Sequence, residues 1–260
     1  MTSDIVSPLF IFLLCLVRIM AIFRTAPFLS GQVISDTIRN TLAMSLVLLV
    51  YPIVAAQVPD GVELSIKLIP LVFKEILIGV LMGFLLGMLF WTADGVGFLI
   101  DNQRGSSMAS SMDPLSGEQS SPLGSLFFQA VTMLFFLSGG FVSFVGFVMQ
   151  SYQTWPLFSY APTLNDGPLL QLFMGQLDAM ARILIVLAGP ILIICFLTDF
   201  GLGLINRFAP QLNVFFLAMP IKSGLAMFFL ILYVSVLLDI FKGSISTMDA
   251  QFAHLQEVFR

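Results

Sequence analysis

Charged residues are scarce in this chain of 260 residues: they make up 10% of the sequence, whereas apolar residues make up 58%. A soluble domain carries about 25% charged residues, because its surface must face water. The mean hydropathy of +1.01 agrees with that contrast. There are too few polar groups here to cover a folded surface, so the composition predicts an integral membrane protein.

Basic residues are also few, which argues against a nucleic-acid partner. Eleven Lys and Arg stand against fifteen Asp and Glu, the net charge is -4, and no basic run occurs. Proteins that bind phosphate backbones need clustered positive charge. We therefore expect the chain to contact the lipid bilayer and no nucleic acid.

Histidine and cysteine are nearly absent. His254 is the single histidine, and Cys15 and Cys195 lie far apart inside apolar runs, which favours two isolated thiols over a disulfide. With one histidine, the chain has almost none of the residues that a zinc-protease helix or a Ser/His or Cys/His nucleophile arrangement requires. The sequence predicts a protein that is not an enzyme and that has no cofactor and no metal site.

Long apolar runs are what the sequence has instead, and about 20 residues suffice for one helical span. Six runs are present, at 5–23, 41–58, 68–100, 123–150, 180–197 and 214–241. They predict an all-α membrane protein whose six or so helical segments form hairpins. The third run would measure near 50 Å as a straight helix at about 1.5 Å per residue, so we expect it to tilt, break or extend beyond the membrane core.

Two polar stretches are predicted to connect these runs. The stretch 151–178 contains Trp155 and several turn residues, and it predicts an interfacial connection with anchoring aromatics. The stretch 198–213 predicts a polar turn between the last two helices. Within the fourth run, Gly139 and Gly140 mark a point where a helix can bend.

Several charged residues lie inside or beside the apolar runs, where insertion scales assign each a cost of about 2.5 to 3.5 kcal/mol at a helix centre. They are Arg18, Lys74, Glu75, Asp94, Arg182, Asp199, Lys222 and Asp239. One interpretation is a proton or ion relay, and the other is interhelical pairing or contacts in a larger assembly. No carboxylate recurs at helical spacing down the centre of a span, which favours the second interpretation.

Small residues recur along the third run. Gly79, Gly83 and Gly87 are spaced four apart, so they form one stripe on a helix. Such a stripe lets another helix approach closely. It predicts helix packing, either within the bundle or against a neighbouring subunit.

The stretch 105–121 reads GSSMASSMDPLSGEQSS and has no catalytic set. Its small and hydroxyl side chains predict a compact flexible loop, and a solvated connector is one interpretation. Methionines suit a surface that seals and re-packs, however, and a loop that both closes and yields would suit a pore. The residues predicted to form such a plug are Gly105, Ser106, Ser107, Met108, Ala109, Ser110, Ser111, Met112, Asp113 and Pro114.

Polar motifs in two separate loops resemble one known family. Phe73-Lys74-Glu75, the stretch 97–105 reading GFLIDNQRG, and Asp113-Pro114 with its serine-rich tail are similar to the T component of the type III secretion export apparatus, the SctT/FliR family. The later turn agrees through Asp199, Gly201, Asn206, Arg207, Pro210, Gln211, Asn213, Val214 and Phe215, followed by Pro220 and Lys222. The resemblance covers nearly the whole chain, and the short loops favour the injectisome form.

The resemblance implies a subunit of an export gate in the bacterial inner membrane. In that gate one T subunit joins several R and S subunits in a helical ring through which unfolded substrates pass, and the U switch protein contacts the ring. Residues 1–176 would be R-like, with 105–121 as a plug loop, and residues 177–260 S-like. We expect partner contacts at Asn206, Arg207, Pro210, Gln211, Asn213 and Lys222.

Two other function classes stay open at this point. A small-solute or ion channel or transporter subunit shares the composition, and flux through the protein purified alone would favour it. An intramembrane aspartyl protease needs two facing aspartates. Asp94 and Asp199 are candidates by position only, because neither lies in the expected glycine-aspartate motif.

Overall fold

A computed structural model describes residues 3–31, 33–57, 68–105, 121–159, 166–209, 211 and 213–247. Within these ranges the regular elements are helical, which confirms the predicted all-α fold. The α-helices are α1 (Ser3–Thr25), α2 (Asp36–Ala55), α3 (Leu68–Arg104), α4 (Pro122–Leu137), α5 (Gly140–Thr154), α6 (Asp166–Phe208) and α7 (Val214–Ser246). A short 3-10 turn, Pro27–Leu29, follows α1.

The number of membrane spans agrees with the sequence. Five helices, α1, α2, α3, α6 and α7, are long and apolar enough to cross a membrane. The shorter helices α4 and α5 meet the same requirement as a pair, which gives up to six spans. The prediction of about six apolar helical segments is therefore confirmed.

The fourth apolar run is divided between α4 and α5. Gly139 caps the start of α5 with φ of 79°, in the left-handed region. A Cβ at this position would meet no atom within 4 Å, so the backbone conformation rather than crowding requires glycine. The predicted bend at Gly139 and Gly140 is confirmed.

Two predicted connections are shorter in the structure, and these predictions were wrong in extent. The stretch 151–178 was predicted to be a connection, but α5 continues to Thr154 and α6 already begins at Asp166. The stretch 198–213 was predicted to be a turn, but α6 continues to Phe208. Polar residues and single glycines do not end a helix whose backbone hydrogen bonds continue, because their propensity cost is at most about 1 kcal/mol each.

Helix α3 is continuous over 37 residues. At about 1.5 Å per residue it is about 55 Å long, well beyond the roughly 30 Å of a bilayer core. Of the three possibilities for the third run, a break is therefore excluded, and the helix either tilts or extends past the hydrocarbon.

The chain divides into two compact units. Unit 1 comprises Met1–Met88, Gly139–Gln176 and Ser246–Arg260, and unit 2 comprises Leu89–Ser138 and Leu177–Ile245. Phenylalanine rings pack inside each. In unit 1 the rings of Phe28 and Phe144 meet edge to face with centroids 5.5 Å apart. In unit 2 Phe90 and Phe135 meet in the same way at 5.4 Å, a geometry that aromatic pairs prefer.

Candidate functional site

A cluster of two cations and one anion lies in the interior of unit 1. Arg18 on α1 and Glu75 on α3 have fully buried side chains. Arg18 Nε donates to Glu75 Oε2 at 2.5 Å, and Arg18 Nη2 donates to Oε1 at 3.0 Å. Lys74 Nζ lies 2.9 Å from the same Oε1. One carboxylate thus neutralises one of two cations, through the bidentate geometry that makes Arg–carboxylate pairs strong.

The remaining donors of both cations bind backbone carbonyls at and beyond the end of α5. Arg18 Nη1 donates to Ser151 O at 2.9 Å, and Nη2 donates to Trp155 O at 3.0 Å. Lys74 Nζ donates at 2.9 Å to each of three further carbonyls, those of Pro156, Leu157 and Ser159. The last carbonyls of a helix have no partner within the helix, so the two cations satisfy the C-terminal end of α5 and the chain that follows.

Tyr152 joins α5 to α1 beside this cluster. Its ring centroid lies 4.1 Å from Arg18 Cζ, which is a cation–π contact. Its hydroxyl donates to Cys15 O at 2.9 Å. The residues Arg18, Lys74, Glu75 and Tyr152 therefore fasten α1, α3 and α5 to one another. These contacts favour the pairing interpretation over a relay for the charges of unit 1.

The charges of unit 2 are arranged differently. Lys222 Nζ on α7 lies 3.0 Å from Asp199 Oδ1 on α6 and donates to Oδ2 at 3.1 Å. Arg182 and Asp178 form an exposed pair at 3.5 Å, and Asp94 is exposed on α3. Because its carboxylate is bound to a lysine, Asp199 makes a poor candidate for one of two facing protease aspartates.

The glycine stripe of α3 faces α1 of the same chain. A Cβ on Gly79 would lie 2.6 Å from Ala21 Cβ and from Arg18 O. A Cβ on Gly83 would lie 2.9 Å from Ile22 O and would overlap the side chain of Thr25. Gly87 is buried one turn further along. The close approach at Gly79 and Gly83 is therefore an intrachain helix crossing.

The plug loop predicted at 105–121 is described only at its two ends, and residues 106–120 lie outside the described ranges. At the first end Gly105 has φ of 88°, a left-handed conformation typical of the residue that follows a helix. At the other end Ser121 is the N-cap of α4, and its Oγ accepts from Gly124 N at 2.9 Å.

Asp101 binds both ends of that loop, a role that the sequence did not reveal. Its Oδ1 accepts from Arg104 Nε at 2.7 Å. Its Oδ2 accepts from Ser121 Oγ at 2.7 Å and from Leu123 N at 2.9 Å. The available signal was Ser121 followed by Pro122, which is an N-cap with proline at the first helical position. That signal marks the start of α4, but it does not indicate that Asp101 also accepts hydrogen bonds there, from Ser121 and Leu123.

The predicted partner contacts divide into two groups. Asn206 and Arg207 are exposed in the last turn of α6, and Gln211 and Asn213 are exposed in the connection to α7. Lys222 instead lies in α7 and is bound to Asp199. Pro210 lies outside the described residues. The exposed polar side chains thus mark one end of the α6–α7 hairpin.

Comparisons with known proteins identify the family. The model of bacterial export proteins, family 1, matches residues 9–248. Yop proteins translocation protein T of Yersinia pestis is 42% identical over 235 residues, which cover 90% of this chain and 89% of that protein. Surface presentation of antigens protein SpaR of Salmonella typhimurium is 36% identical over 222 residues, 85% and 81% of the two chains. Flagellar biosynthetic protein FliR of Bacillus subtilis is 29% identical over 242 residues, 91% and 92%.

These similarities cover the helices, the charged cluster and both loop ends. The resemblance seen in the polar motifs is confirmed, because the family match extends across α1 to α7. Together with five or six apolar spans, it makes this chain a multi-pass protein of the bacterial inner membrane. The chain belongs to bacterial export proteins, family 1, the SctT/FliR family of the type III export apparatus.

Proposed function

We propose that this chain is the T subunit of an inner-membrane export gate in a type III secretion system of the injectisome form. The observation that carries the proposal is the family match over residues 9–248. The injectisome form is supported by identities of 42% and 36% to Yop translocation protein T and SpaR, compared with 29% to the flagellar protein FliR. The role is structural, and no catalytic step is proposed.

The partners in this proposal are the R and S subunits and the U switch protein. Support comes from α6 and α7, the helices of the C-terminal hairpin. In the apolar span of each, 22% of the residues are buried within the chain, compared with 56% in the span of α3. The remaining surface is apolar, so in a membrane it contacts lipid or other helices. We propose that residues 1–176 occupy an R-like position in the ring and that residues 177–260 occupy an S-like one.

We further propose that the loop 105–121 seals the gate at rest. A pore wide enough for an unfolded polypeptide must be closed between transport events, because an open water path would collapse the ion gradient across the membrane. Small side chains pack readily in a lumen, and Met108 and Met112 supply deformable apolar contacts. A hydrophobic and steric closure of this kind needs no chemistry.

Deletion of residues Ser106 to Ser111 tests this function. The complex should still co-purify with its small hydrophobic membrane partners, and in planar bilayers it should conduct ions that the wild-type complex excludes. Met108→Ala and Met112→Ala should give weaker versions of the same leak, because each removes one apolar contact.

Two results would contradict the proposal. A deletion variant whose conductance in planar bilayers is as low as that of the wild-type complex would refute sealing by this loop. Flux of small solutes through the chain purified alone, without any partner, would favour a channel or transporter instead of a gate subunit.

A further inference from the structure

We infer that Asp101 is a positioning residue that fixes both ends of the loop 105–121. The inference rests on the proposed sealing function, because it concerns how the sealing loop is held. One carboxylate accepts hydrogen bonds from Arg104, directly before the loop, and from Ser121 and Leu123 at its far end. The chain therefore leaves α3 and enters α4 at a single buried point.

The carboxylate suits this role because its bonds are numerous and shielded. Asp101 is only 3% exposed, and its three bonds measure 2.7, 2.7 and 2.9 Å. An ionised carboxylate only accepts, whereas an asparagine amide presents two donors on one side. In Asp101→Asn the amide nitrogen would face either the guanidinium of Arg104 or the two donors of α4, so one end of the loop loses its acceptor.

A second contact holds the same two helices one turn away. Gly97 lies four residues before Asp101 on α3, and a Cβ on Gly97 would overlap the backbone of Leu123 and Gly124. The backbones of α3 and α4 thus touch beside the carboxylate. Because this glycine contact remains in Asp101→Asn, we expect the helices to stay packed while the first turn of α4 loosens.

Two readouts on the purified export complex test the inference, and Asp178→Asn is the control. Asp178 is also a carboxylate of unit 2, but it lies on α6 and forms an exposed pair with Arg182. The first readout is amide exchange at Leu123, whose N–H donates to Asp101. The second is conductance in planar bilayers.

In Asp101→Asn, exchange at Leu123 should accelerate about tenfold or more, which is the shift expected from losing a charge-assisted hydrogen bond. The assembled complex should also leak. Ser121→Ala removes one of the three donors to Asp101 and also the N-cap acceptor of Gly124 N. It leaves the bond from Leu123 N to Asp101 in place, so it should give a smaller change in both readouts. It also serves as the test variant should Asp101→Asn fail to assemble. Asp178→Asn should match the wild type.

The two proposals fail in different ways. If deletion of Ser106 to Ser111 leaks but Asp101→Asn and Ser121→Ala stay closed with wild-type exchange at Leu123, the positioning role is overturned and the sealing function stands. If no variant leaks, sealing by the loop is refuted. Faster exchange at Leu123 would then still support Asp101 as the residue that fixes the loop ends, and unchanged exchange would overturn that role too.

Discussion

Glu75→Gln should destabilise the chain more than any other single loss of charge in unit 1, because two buried cations depend on this carboxylate. Arg18 binds it through two nitrogens, and Lys74 lies 2.9 Å from it. A glutamine of the same size has one acceptor in place of two and turns an amide donor toward a cation. The substitution therefore leaves positive charge without compensation in the interior.

The magnitude follows from the burial of the pair. Removing one partner of a buried ion pair costs about 3–5 kcal/mol. In a protein of 150–250 residues each kcal/mol lowers the unfolding midpoint by about 2–4 °C. Glu75→Gln should thus lower the midpoint by about 6–20 °C. The midpoint is measured as the loss of the monodisperse size-exclusion peak after heating the detergent-purified protein.

Asp178→Asn is the control for this measurement. It breaks a pair on one helix whose side chains are 77% and 73% exposed, and exposed pairs contribute about 0–1 kcal/mol. The control should lower the midpoint by no more than about 4 °C. A Glu75→Gln midpoint equal to that of the control would refute the argument that the cluster stabilises unit 1.

Two more predictions concern the glycine stripe and the hairpin end. Gly83→Leu should lower the free energy of unfolding by about 1–3 kcal/mol, because the new side chain would overlap Thr25 at the crossing with α1. Gly146→Leu is the control, because that position has open space around it. Equal yields of folded chain and complex for both variants would count against the packing role. Arg207→Glu, at the exposed end of α6, should impair secretion while membrane insertion stays normal; normal secretion, with crosslinks from Arg207 only to lipid, would argue against a partner contact there.

The membrane-spanning helices were predictable because a helical span needs about 20 mostly apolar residues, and runs of that length can be read directly from the sequence. The polar ends of these helices could not be predicted, as Asp199 and Asn206 show. Both lie within α6, although polar residues beside glycines are also typical of turns. Sequence shows which residues are polar, but the continuation of a helix past the apolar run depends on the structure around it.

The pairing of residues within the charged cluster could not be predicted from the sequence, for a different reason. Arg18 and Glu75 are 57 residues apart, and Arg18 and Ser151 are 133 apart. A lone charge in an apolar run indicates that some partner exists, but only the packing of α1, α3 and α5 reveals which one. The same holds for Asp101, whose bond to Leu123 spans 22 residues across a loop.

Those long separations have a consequence for how the protein is made. Ribosomes add about 5–20 residues per second, so Arg18 precedes Glu75 by about 3–11 s and Ser151 by about 7–27 s at the separations of 57 and 133 residues. Until Glu75 has been added, the guanidinium of the newborn first helix has none of its final partners, and until Ser151 has been added it lacks those on α5. The guanidinium of Arg18 therefore gains its full set of acceptors only when the end of α5 has been synthesised, and nascent chains arrested before Ser151 should be degraded faster than full-length chains.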